Sequence, residues 1–208
     1  MDSKKKEYNW SIAFSETINT SLNNVWDIIS KKSNLELFHP YCKQNHAIKW
    51  SKEDSIDELE YLNGLVLKRK FNNWYENEGY DLYINKKGEP ASHVSWRLQE
   101  KDNKCKISIV ISPYLYNQRG KTINFLPFFI FIKPSLTKYL KSVVGGLKWY
   151  AEKGWLYEKI NLVNTHGFHR YILDSALASG LMFETTRSSK YHRDGIFITG
   201  FNNFCVAN

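Results

Sequence analysis

The stretch PSLTKYLKSVVGGLKWYAEKG, residues 134–154, carries the longest helical pattern in the chain. Leu136, Tyr139, Leu140, Val143, Val144, Leu147, Tyr150 and Ala151 recur at steps of three and four, which puts them on one helix face. Lys138, Lys141, Lys148 and Glu152 fall on the other. Pro134 suits a first turn, Ser135 is a candidate cap, and Gly154 suits a stop where the backbone turns left-handed. The pair Gly145-Gly146 breaks the pattern in mid-helix. Each glycine costs about 1 kcal/mol against alanine. The expected reason is a tolerated kink or a tight packing point; the alternative is room left for a bound molecule or a bend.

Six strand patterns precede this helix. They run over Ala47–Lys52, Ile56–Leu62, Leu65–Tyr75, Gly79–Asn85, Ser92–Glu100 and Lys104–Leu115. Between them stand turn residues, among them Asn63-Gly64, Asn77-Glu78-Gly79, Lys86-Lys87-Gly88 and Lys101-Asp102-Asn103. Such short connections fit an antiparallel meander, because parallel pairs need long crossovers. Val94, Trp96 and Leu98 share one face, as do Ile107, Ile109 and Ile111, so one side of the sheet is buried. Upstream, Trp10–Ile18 alternates as a half-buried strand. Leu22, Val25, Trp26 and Ile29 then make a short helix capped by Thr20 or Ser21, and Asn34–Phe38 makes a second one that ends before Pro40.

With 208 residues the chain can bury a substantial core. Its 12 Phe, 13 Tyr and 7 Trp are a high aromatic content, and a wide apolar cavity is one place they fit. Net charge is +8. That admits an anionic partner, whether nucleic acid or a membrane surface, but the lysines are scattered and fit a solvated basic surface better. The three cysteines do not make a disulfide framework, and the N-terminus MDSKKKEYNW lacks the apolar core of a secretion signal. The expectation is a cytoplasmic protein. The apolar run Ile123–Ile132 is too short to span a bilayer. It should pack on the core or cover a cavity mouth; the alternative is a transient membrane contact flanked by lysines.

The order strand, two short helices, six strands, long helix resembles the START-like superfamily, also called SRPBCC, and within it the polyketide cyclase/dehydrase and lipid transport family. The likeness rests on FSETINTSLNNVWDIISKKSNLELFHP at 14–40 and YLKSVVGGLKWYAEKG at 139–154. It covers about 10–155. Residues 1–9 form a basic tail, and 156–208 form an extension of unassigned role, with a helix pattern at Tyr171–Phe183 and a strand pattern at Ile196–Val206. The resemblance implies an α+β helix-grip fold, a curved antiparallel sheet wrapped around the C-terminal helix. It also implies a cavity between the two that binds a hydrophobic small molecule or lipid. The same cavity could serve a cyclase- or aromatase-type enzyme, and a basic surface binder without a pocket is the third reading.

Candidate lining residues on this expectation are Trp26, Arg69, Phe71, Tyr83, Trp96, Ile109, Tyr139, Val143, Leu147 and Tyr150. Alternation over Leu65, Leu67, Arg69 and Phe71 turns Arg69 inward unless the register slips by one residue. A buried arginine needs a partner, either an acidic group on a ligand or an internal acid such as Asp81 or Glu16. His39 is a candidate general base near the pocket mouth, or simply a turn residue. Tyr41, Tyr83, Tyr139 and Tyr150 could offer hydroxyls. Cys42 with His46, and His166 with His169, are half-motifs without matching halves, so no metal is expected. The absence of phosphate-loop and dinucleotide signatures likewise leaves no cofactor expected.

Overall fold

The computed structural model describes residues 8–117, 125–126 and 128–154. The element patterns expected in 156–208 lie outside the described residues. Seven strands form one antiparallel sheet. They are β1 (Ile12–Ile18), β2 (Cys42–Lys49), β3 (Ile56–Tyr61), β4 (Val66–Tyr75), β5 (Gly79–Asn85), β6 (Ser92–Lys101) and β7 (Lys104–Ser112). Their order is β1-β7-β6-β5-β4-β3-β2, so β2 to β7 run as a meander and β1 closes on β7. Helices α1 (Leu22–Ile29) and α2 (Leu35–Phe38) follow β1, and the long helix α3 spans Lys133–Lys153.

The sheet buries one face. Leu67, Arg69 and Phe71 of β4 point in, as do Tyr80, Leu82 and Ile84 of β5, Val94, Trp96 and Leu98 of β6, and Ile107, Ile109 and Ile111 of β7. Register aligns them: Phe71 lies across from Leu82, Leu82 from Val94, and Trp96 from Ile109. Against this face α3 lays Leu136, Leu140, Val143, Val144 and Leu147. The product is a helix gripped by a sheet, with burial on both sides supplying most of the stability.

Local chemistry sets the helix ends. Ser21 caps α1, its Oγ accepting from Asn24 N at 3.3 Å. Gly154 closes α3 with φ of 69°, and its N–H donates to Tyr150 O at 2.8 Å. Ser135 does not cap α3, contrary to expectation. Its hydroxyl donates to Phe131 O at 2.8 Å, because the helix is entered through a single π-helical turn, Phe128–Ile132.

Three expected boundaries move. β2 starts at Cys42 rather than Ala47 and ends at Lys49; register shifts near Gln44 and Lys49 scramble its alternation and hide it in the sequence. Lys52–Asp54 is a 3₁₀ turn. β7 stops at Ser112, ahead of Pro113, which cannot donate to a ladder. In the apolar run before α3, Phe128 and Ile132 are buried, whereas Phe125, Leu126, Phe129, Ile130 and Phe131 are exposed. Phe128 packs on Trp10 and Tyr116, with ring centroids 5.2 and 5.7 Å away. The described part of this run is helical.

The two mid-helix glycines differ. A Cβ at Gly146 would stand 2.1 Å from Phe38 O, so α2 and α3 touch backbone to backbone there; a Cβ at Gly145 would meet nothing within 4 Å. Gly146→Ala should therefore destabilise the fold by about 1–3 kcal/mol, as overpacking does. Gly145→Ala should stabilise it by up to about 1 kcal/mol. Urea melts of the two variants check this, and equal effects at both positions would contradict it.

Candidate functional site

Between the sheet and α3 lies a cavity of about 60 Å³. That is several times the ~10–15 Å³ one water needs. Most of its wall is aliphatic, from Leu59, Leu82, Ile84, Val94, Ile111 and Leu140 among others. The polar exceptions gather from four elements: His39 at the end of α2, Tyr61 of β3, Arg69 of β4 and Tyr139 of α3.

Arg69 points inward and is only 3% exposed. Its partner is Asp57, not Asp81 or Glu16 as expected. The β3–β4 register sets Asp57 directly across from Arg69. Arg69 Nε donates to Asp57 Oδ1 at 2.8 Å, and Nη2 donates to Oδ2, a bidentate pair. Asn45 completes the cluster: its Nδ2 donates to Asp57 Oδ2 at 3.0 Å and to Glu58 O at 3.1 Å, and its Oδ1 accepts from Leu35 N at 3.3 Å. Burial alone would lower the guanidinium's pKa, but the adjacent Asp57 charge outweighs it and the pKa rises. Asp81 instead sits on the other side of the sheet with Arg97 at 2.7 Å, and Glu16 pairs with Lys148 at 2.9 Å.

His39 is 4% exposed and engaged through both ring nitrogens. Nδ1 accepts from Tyr41 N at 3.3 Å, and Nε2 lies 2.9 Å from Tyr139 Oη. Tyr139 Oη is in turn 2.9 Å from Tyr61 Oη. Burial, helped by the Arg69 charge, pushes the imidazole pKa down to about 3. Burial raises the Tyr61 hydroxyl to about 12, against the opposing pull of the Tyr139 hydrogen bond and Arg69. Tyr139 is raised too, by burial and then by Tyr61. The relay is therefore neutral at physiological pH. Tyr41 packs behind it, stacked on Tyr139 at 5.7 Å.

Of the ten lining residues expected, the fold brings Arg69, Trp96, Ile109, Tyr139 and Val143 to the cavity, and His39 with them. It does not bring the other five. Trp26 packs on Trp74 at 5.4 Å and hydrogen-bonds Glu76. Phe71 is buried against Trp50 and Tyr80. Tyr83 faces the opposite side of the sheet beside His93, since Leu82 and Ile84 take the inward positions. Leu147 and Tyr150 lie one to two turns beyond Val143, past the cavity end. Tyr61 and Asp57 were missed. The turn at Asn63-Gly64 held the signal: Tyr61 N donates to Leu65 O at 2.8 Å, and counting outward pairs Leu59 with Leu67 and Asp57 with Arg69. Among the described residues no group of three or more His, Cys, Asp or Glu could hold a metal ion. No described helix is long and apolar enough to cross a membrane.

The buried neutral imidazole predicts a pH effect. Its folded pKa of about 3 lies below its ordinary 6.5, so below pH 6.5 the unfolded chain binds more protons than the folded one. The stability contribution is whole above about pH 6.5 and is lost toward pH 3, by up to about 1.4 kcal/mol per pH unit. Urea melts should show this slope between pH 6.5 and 5, and His39→Gln should flatten it. An unchanged slope in the variant would contradict the assignment.

No protein-family model matches the chain, and a search of curated proteins finds no match. Solved structures do match. DynU16, from the dynemicin biosynthetic locus, superposes with a TM-score of 0.55 at 12% identity, over 70% of this chain and 48% of that one. The chain thus spans about half the length of DynU16. A protein from Helicobacter pylori matches at TM-score 0.54 and 11% identity, over 73% of this chain and 97% of its own. One from Staphylococcus saprophyticus matches at 0.52 and 10%, over 72% and 96%. With a seven-stranded antiparallel sheet gripping one long helix, and two short helices after the first strand, the chain has the helix-grip fold.

Proposed function

We propose that this protein binds a compact, mostly apolar small molecule in the cavity between sheet and α3, in a carrier or sensor role. The observation that carries the reading is the lining itself: an aliphatic chamber with its few polar groups gathered from His39, Tyr61, Arg69 and Tyr139. Binding sites for small molecules have this composition, apolar walls with a few placed polar atoms. The volume favours a compact ligand over a long-chain lipid. The alternative, a cyclase-type enzyme, would use Arg69 and His39 inside the cavity, but among the described lining residues both are already engaged. His39 holds hydrogen bonds at both nitrogens, and Arg69 is paired with Asp57.

Calorimetry with n-propylbenzene on the full chain tests the reading. Val143 lines the cavity from α3, and Val143→Phe should fill it. The expected result is binding by the native protein and at least tenfold weaker binding by the variant, at a stability cost of about 1–3 kcal/mol. Equal binding by both would place the probe elsewhere and sink the proposal.

A further inference from the structure

We infer that the cavity's ligand carries a neutral oxygen acceptor, a ketone, aldehyde or ester carbonyl, seated on the hydroxyl of Tyr61. The inference rests on the cavity-binding reading above and adds the chemical class of the ligand.

The direction of the relay follows from one fixed donor. The backbone N–H of Tyr41 can only donate, and it meets His39 Nδ1 at 3.3 Å. Nδ1 therefore carries the lone pair, and the ring proton is on Nε2. Nε2 must donate to Tyr139 Oη, 2.9 Å away. Tyr139 has its own proton to place, and Tyr61 Oη, at 2.9 Å, is the acceptor in reach. The opposite direction would need a proton on Nδ1, setting two donors against each other at Tyr41 N. So the Tyr61 oxygen is engaged as an acceptor, while its proton has no hydrogen-bond partner among the described residues. Tyr61 is 4% exposed and lines the cavity, so its remaining hydrogen bond is aimed at whatever fills that space.

A buried donor without a partner favours an acceptor and disfavours everything else. A pure hydrocarbon leaves the proton unpaired. An amine or ammonium sets donor against donor. A carboxylate could accept, but it would bring a net charge into an aliphatic chamber whose cation is already balanced by the bidentate Asp57. A carbonyl supplies the acceptor with neither a surplus proton nor a charge. Sites built around a buried hydrogen bond discriminate strongly against ligands that lack the matching group.

The test compares three probes of similar size by calorimetry on the full chain: propiophenone, n-propylbenzene and phenylacetate. In the native protein propiophenone should bind, and phenylacetate should bind most weakly of the three. Tyr61→Phe should weaken propiophenone about three- to tenfold and should not weaken n-propylbenzene, which loses no hydrogen bond. A readout on the unaltered protein stands beside this: the carbonyl stretch of bound propiophenone should fall below its value in hexane. A hydrocarbon that binds, with a ketone insensitive to Tyr61→Phe and an unshifted stretch, would overturn the carbonyl assignment and leave the cavity reading standing. Phenylacetate binding tightest would overturn it also. Failure of all three probes to bind would overturn both.

Discussion

The structure depends on the contact between Arg69 and Asp57. Two full charges lie at 3% and 0% side-chain exposure, on β4 and β3, on the largely apolar buried side of the sheet. Either charge alone would cost several kcal/mol to bury, and removing one partner of such a pair costs about 3–5 kcal/mol. The pair is tolerable because antiparallel register sets the two residues opposite each other and because Asn45 satisfies the carboxylate from β2. Three strands are thereby tied at one point. The pair also sets the electrostatics of the cavity: the wall is neutral overall, yet the guanidinium is close enough to help hold His39 uncharged.

A second constraint fixes the geometry of the other polar groups. Gly146 lets α3 approach the carbonyl of Phe38, the residue before His39. That contact anchors the end of α2 two turns along the helix from Tyr139. His39 and Tyr139 then meet, and β3 brings Tyr61 to the same place. Mostly aliphatic side chains from β3 to β7, α2 and α3 make up the rest of the chamber wall. The cavity is thus apolar by default and polar at one region, where the strands carrying Arg69 and Tyr61 face α2 and α3. Such segregation would orient a bound molecule as well as hold it.

Much of the fold was legible in the sequence. Period-two alternation marked β6 and β7, tight turns marked the meander, and the long amphipathic stretch marked α3. What the sequence hid had physical causes. β2 carries irregular register, so its alternation is broken. β5, GYDLYIN, has large side chains on both faces, so Tyr83 was no easier to place inside than out; its neighbours Leu82 and Ile84 decide the matter. Alternation left Arg69 open between an inward position and a slipped register; the strand holds it inward, with a partner set by pairing across a hairpin rather than by distance along the chain. Trp26, Leu147 and Tyr150 show the remaining limit, since helix periodicity gives the buried face of α1 or α3 but not which part of that face borders empty space.

Entry of a compact apolar molecule into the chamber between sheet and helix can be followed by methyl-labelled NMR of the full chain, titrated with n-propylbenzene. The cavity reading predicts shifts concentrated at Leu82, Ile84, Val94, Ile109, Ile111 and Val143, which surround the chamber. Shifts confined to the exposed Leu126 and Ile130, with the cavity methyls unmoved, would contradict it.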